Sequence, residues 1–177
     1  MARETSCVER PHTHKKCHKD IDARWVKKHG ERFFGYKVSA KVDGKSTFVK
    51  KIVVTTAAPH DSKMFHDLMD EIDRGQVMFA DSAYVGQLER LQKYGLKDEI
   101  CEKGYRGKPL TDEQREENRK KSTIRSRVEH VFSFMEGAMH GLTVRTIGMA
   151  RAATNVFLKC LTYNMFGYEQ FARNGIR

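Results

Sequence analysis

The sequence predicts an α/β domain with a mixed sheet and flanking helices, on three observations. Two strand-like runs, residues 33–42 and 48–55, are joined by Asp43-Gly44-Lys45-Ser46, whose Asp and Gly suit a hairpin loop. An apolar run, residues 76–80, lies between two helical patterns and ends in Asp81-Ser82-Ala83-Tyr84, which reads as a strand buried on both faces. Beyond Thr111, apolar residues recur at helical spacing almost to the end of the chain.

Residues 1–19 are polar, basic and aperiodic, and read as a flexible tail before a domain over 20–177. Cys7, His12, His14, Cys17 and His18 crowd together in this tail. Their spacing fits no standard zinc finger, and no apolar pattern surrounds them. Trp25, the only tryptophan, is expected to pack onto the domain. Phe34, Tyr36, Val38 and Ala40 alternate, and residues 48–55 are rich in β-branched side chains, so the two runs form an antiparallel pair. Pro59-His60-Asp61-Ser62 ends the second run and offers a helix cap.

Phe65, Leu68, Met69 and Ile72 share one helical face, closed by Gly75. After Asp81, a helix carrying Val85, Leu88 and Leu91 stops at Gly95, and residues 97–101 suit a short last strand. Thr111-Asp112-Glu113-Gln114 has the form of a capping box. The helix that follows, to about His140, carries a buried stripe of Val128, Val131, Phe132, Met135 and Met139. Ser122, Arg125, Glu129 and Glu136 lie on a separate flank. A final helix over about 150–172 is expected to bury Ala153, Val156, Phe157, Cys160, Leu161, Met165 and Tyr168.

The 177 residues suit one domain with a real core. Lys and Arg number 33 against 23 acids, a net charge of +10, which favours a polyanion partner, DNA or RNA before a membrane surface. No apolar run approaches the ~20 residues that span a bilayer, and the N-terminus has no apolar segment of a secretory signal. Four scattered cysteines fit a reducing cytosol.

Ligand sites in open α/β sheets form at the carboxyl ends of strands, where Asp81 falls. A lone acid there is ordinarily a helix cap, but Glu129 on a basic helix supplies a second. The order strand-strand-helix-strand-helix-strand-helix with these acids is most of a ribonuclease-H-like domain. Its carboxylates hold two Mg²⁺ about 3.5–4 Å apart for phosphoryl transfer. Arg125 and Arg127 would meet phosphate, as would the run Arg119-Lys120-Lys121.

These residues also carry a resemblance. Lys19 to Lys28, Phe34-Gly35-Tyr36-Lys37, Val54 to Ser62, Phe79 to Tyr84, Arg125 to Phe132 and Leu161-Thr162-Tyr163-Asn164 resemble, in order, segments of bacterial insertion-sequence DDE transposases of the insertion-sequence-five group. The resemblance implies that Asp81 is the second catalytic Asp and Glu129 the catalytic Glu, both ligands of Mg²⁺. Arg125 would then be the basic residue of the family's Tyr-Arg-Glu-Lys-type signature. Ser122 and Glu136 depart from its Tyr and Lys.

The family's first Asp lies on a central strand upstream of the Asp-Ala-Arg-Trp segment. No such strand precedes Asp20, where the only acids are Glu4 and Glu9. The resemblance thus implies a partial, C-terminal catalytic part, inactive alone. The hairpin strands and residues 76–80 are expected to share one sheet, with a gap or a forced contact where the central strand is missing. Implied partners are transposon-end and target DNA in the bacterial nucleoid, and a second copy or an upstream transposase segment. The alternative is a non-catalytic basic module that binds DNA or a protomer.

Overall fold

The computed structural model describes residues 19–28, 30–57 and 64–174. The tail with Cys7, His12, His14, Cys17 and His18, and the segment Pro59-His60-Asp61-Ser62, lie outside the described residues. The chain is mixed α/β. Strands β1 (Arg24–Lys28), β2 (Glu31–Val42) and β3 (Val49–Thr56) precede a one-turn helix α1 (Phe65–Leu68) and strand β4 (Val77–Ala80). Helix α2 (Leu88–Lys93), strand β5 (Lys97–Ile100) and two long helices, α3 (Asp112–Ala138) and α4 (Met149–Asn174), complete it.

β1, β2 and β3 form an antiparallel sheet in that order. β1 meets only the first part of β2, Arg24 opposite Gly35 to Lys28 opposite Glu31, whereas β3 meets the rest, from Tyr36 opposite Thr56 to Val42 opposite Val49. Of the alternation read in the sequence, Phe34 is exposed, whereas Val38 and Ala40 face the core together with Val42. They pack with Ile52 and Val54 on Val131 and Met135 of α3 and on Val156 and Cys160 of α4. A second core of Phe65, Ala80, Leu91, Leu96 and Ile100 gathers round β4 and β5, which pair in parallel.

β4 therefore does not share the hairpin's sheet, contrary to expectation. Apolar patterning marks a strand but not its neighbour. A cleft of about 980 Å³ lies between β4 and the hairpin. It is walled by Ala40–Val42 on one side and Gln76–Asp81 on the other, over Val128 and Phe132. With one neighbour and an open cleft, β4 is not buried on both faces: only Ala80 is buried, and Val77 is exposed.

The helix expected through Ile72 stops at Leu68. Met69 and Asp70 turn extended, and Asp70 and Asp73 form a capping box around the short 3₁₀ turn Glu71–Asp73. Such local side-chain bonds compete with helix propagation, and they leave Ile72 86% exposed. Asp70 also settles a conflict in the sheet. Lys41 and Lys51 are cross-strand partners, and like charges so placed repel. One Asp70 oxygen takes Lys41 Nζ at 2.8 Å and the other Lys51 Nζ at 2.5 Å, while Asp73, itself buried, takes Lys41 at 2.7 Å. Burial acts to lower the Lys41 pKa, but these carboxylates outweigh it and raise the value.

Trp25 does not pack onto the domain. It is 67% exposed and rests on Phe34, its cross-strand partner, at 5.2 Å. α4 buries Ala152, Val156 and Cys160, whereas Phe157, Leu161, Met165 and Tyr168 are exposed. A helix laid on one strand buries one stripe, and the flanking apolar residues point aside. Asn164 fixes its seat: the side chain accepts the Val49 N–H and donates to the Val49 carbonyl, both at 2.9 Å.

Candidate active site

α3 is the beam that joins the two cores. The expected capping box starts it, with Gln114 N–H donating to Thr111 Oγ1 and Gln114 Oε1 accepting the Thr111 N–H. Along its first half, Asn118 brackets the Glu102 backbone at 2.8 and 3.0 Å, and Lys121 Nζ pairs with Glu99 at 3.3 Å and donates to the Ile100 carbonyl. Its second half packs on the sheet through Val131 and Met135. It ends where His140 and Gly141 turn left-handed (φ 57° and 70°), the Gly141 N–H returning to the Met135 carbonyl at 2.9 Å.

Where the beam crosses the cleft, the two predicted acids come to one arginine. Asp81 follows β4 directly, and its Oδ2 lies 3.3 Å from Arg125 Nη1. Arg125 Nη2 lies 3.5 Å from Glu129 Oε1, one helical turn on. Both carboxylates thus reach a single guanidinium, and all three residues line the cleft with Arg127, Lys45 and Lys50. The Arg125 Nε is buried with no hydrogen-bond partner.

Three other acids have structural work. Asp43 closes the hairpin loop, accepting the Ser46 N–H at 2.8 Å and the Ser46 hydroxyl at 2.7 Å, and it pairs with Lys50 at 2.9 Å. These bonds hold its carboxyl well below the usual range. Asp20 and Asp22 accept the Gly148 and Met149 N–H groups at the start of α4, the end that favours negative charge. Burial acts to raise the Asp20 pKa, but hydrogen bonds from Tyr36, Gly148, Ala23 and Asp22 outweigh it and lower the value.

The basic candidates separate. Arg119 and Lys120 are exposed. Lys121 is turned inward to β5, Arg127 donates to the Gly44 carbonyl, and Arg125 holds the two acids. Lys45 and Lys50 reach the cleft from a hairpin distant in sequence, so no local motif marked them.

Two hard oxygen donors facing a cleft fit a divalent cation of the Mg²⁺ kind, the remaining positions going to water or phosphate. Among the described residues, no group of three His, Cys, Asp or Glu side chains converges to hold a metal. No described helix is long and apolar enough to cross a membrane.

Residues 8–165 match the family model described as the transposase DDE domain. A curated relative, the transposase for insertion sequence element IS1106 of Neisseria meningitidis serogroup B, is 30% identical over 149 residues, 83% of this chain and 51% of the relative. The chain therefore spans about half the length of that relative. No solved structure matches it. An acid closing β4, a second acid on α3 and a family match over most of the sequence lead to one conclusion: the chain belongs to the DDE transposase family.

Proposed function

We propose that this chain serves divalent-metal-dependent cleavage and transfer of DNA strands, as part of a bacterial insertion-sequence transposase with a ribonuclease-H-like core. The observation that carries the reading is the convergence of Asp81 and Glu129, from different elements, on Arg125. Bound Mg²⁺ would polarise the scissile phosphate and lower the pKa of the attacking water. Asp81 and Glu129 would hold it, while Arg119 and Lys120, exposed on α3, would track the DNA backbone. Arg125 and Arg127 would meet phosphate nearer the site.

Two carboxylates leave the cation set short, so the chain alone neither nicks nor joins DNA. The third acid enters with a further strand laid between β2 and β4. That strand comes from another transposase segment, since strand edges accept such additions. A nicking assay on end-containing DNA in Mg²⁺, with and without an added upstream transposase segment, tests this. Activity is expected only with the segment, and Asp81→Asn or Glu129→Gln abolishes it while leaving DNA binding nearly intact. Nicking that survives both substitutions refutes the site.

That no three acids converge among the described residues also favours a second reading, a basic module that binds DNA or a protomer without catalysis. In that case DNA binds with a steep salt dependence, and no added segment confers nicking.

A further inference from the structure

We infer that Arg125 is an internal counter-cation that a divalent ion must displace before Asp81 and Glu129 can share that ion. The inference rests on the reading that these two carboxylates take the metal. A guanidinium stays charged at every accessible pH, so it cannot give way by losing a proton and has to move. Its two contacts, at 3.3 and 3.5 Å, are longer than the 2.7–2.9 Å of a tight charge-assisted bond. They join partly exposed groups, for which ion pairing is weak.

No hydrogen bond holds the guanidinium from its inner end, where Nε is buried and unpartnered. The ion pairs of its head are those with the two acids. Metal and arginine compete for the same oxygens. Once released, the head remains at the cleft, where a phosphate oxygen can satisfy it.

The competing idea is that Arg125 prepares the site by holding the acids together. The two ideas differ in sign: removing a competitor tightens metal binding, and removing an organiser weakens it. The experiment titrates the whole chain with Mn²⁺ and reads free ion from its electron paramagnetic resonance signal, so no activity is needed. Four proteins are compared at one salt concentration, with folding checked by circular dichroism: the natural chain, Arg125→Gln, Arg125→Lys, and the double variant Asp81→Asn/Glu129→Gln.

Arg125→Gln is expected to bind Mn²⁺ about three- to thirtyfold tighter than the natural chain, the range set by losing two weak ion pairs. Arg125→Lys, which keeps the charge but not the fork, is expected to fall between them, and it decides the matter if the glutamine variant does not fold. The double variant is expected to lose the site. Equal or weaker binding in the Arg125 variants, with carboxylate dependence intact, overturns the inference and spares the site. No carboxylate-dependent binding in any variant overturns the site and the inference with it.

Discussion

The two β-units of this chain are built on opposite plans. The β1–β3 sheet has long strands in antiparallel register and is covered by α3 and α4, with buried Val131 and Met135 at its centre. The β4–β5 unit has two four-residue strands in parallel, with Phe65 and Leu91 as its largest buried side chains. The first is a sheet with a lid. The second is a strand pair held in place from outside, by α3 on one side and by the Lys41 strap to Asp70 and Asp73 on the other. The difference shows how the candidate site is assembled: Glu129 sits on α3, packed on the first unit, and Asp81 closes β4 of the second.

The largest test of this contrast is to hollow each core. Met135→Ala and Leu91→Ala should each cost about 2–5 kcal/mol in urea unfolding. Met135→Ala should lower amide protection throughout, whereas Leu91→Ala should lower it chiefly in residues 65–100. Uniform loss in both would make the chain one cooperative unit and end the comparison.

Next is the strap. Lys41→Met strands the buried Asp73 carboxylate and should cost about 1.5–3 kcal/mol. Adding Asp73→Asn, which keeps an acceptor for the Asp70 N–H, should recover most of that loss, because neither charge is then unmatched. No recovery would mean that the strap positions β4 by geometry rather than by charge.

Asn164→Ala removes both bonds to Val49 and should cost about 1–2 kcal/mol, confined to the β1–β3 side. Thermal melts paired with amide exchange would show whether the β4–β5 unit feels it.

The smallest effect is in acid. Asp43 has a lowered pKa in the folded state, so its contribution is complete above the unfolded value of about 3.9 and is lost as pH falls through the folded value. Asp43→Asn should therefore cost about 1 kcal/mol at neutral pH, and the gap to the natural chain should close below about pH 4. A gap that widened on acidification would assign the wrong role to Asp43.

Much of this was legible in the sequence because local chemistry enforces it. The Thr111–Gln114 box, the alternation through Val38 and Ala40 and the helical stripe through Val131 and Met135 each depend on neighbours close in the chain. Asp81 and Glu129 were legible as a pair, and both reach Arg125. The failures were choices of partner. Nothing local in Gln76–Ala80 says which strand lies beside it, and nothing at Ile72 reveals that Asp70 is needed between Lys41 and Lys51. The exposed flank of α4, with Phe157 and Met165, has the same spacing as a buried one and differs only in what lies opposite.

The clasp between Asn164 and Val49 has a consequence for how the chain is made. Its halves lie 115 positions apart. At roughly 5–20 residues per second, the strand waits about 6–23 s on the ribosome for its fastener. Throughout that interval the inner face of the sheet, from Val38 to Val54, has no α4 to shelter it. The newborn hairpin is therefore a client for whatever holds apolar surfaces in the cell, and synthesis that halts before residue 149 releases a sheet that cannot close.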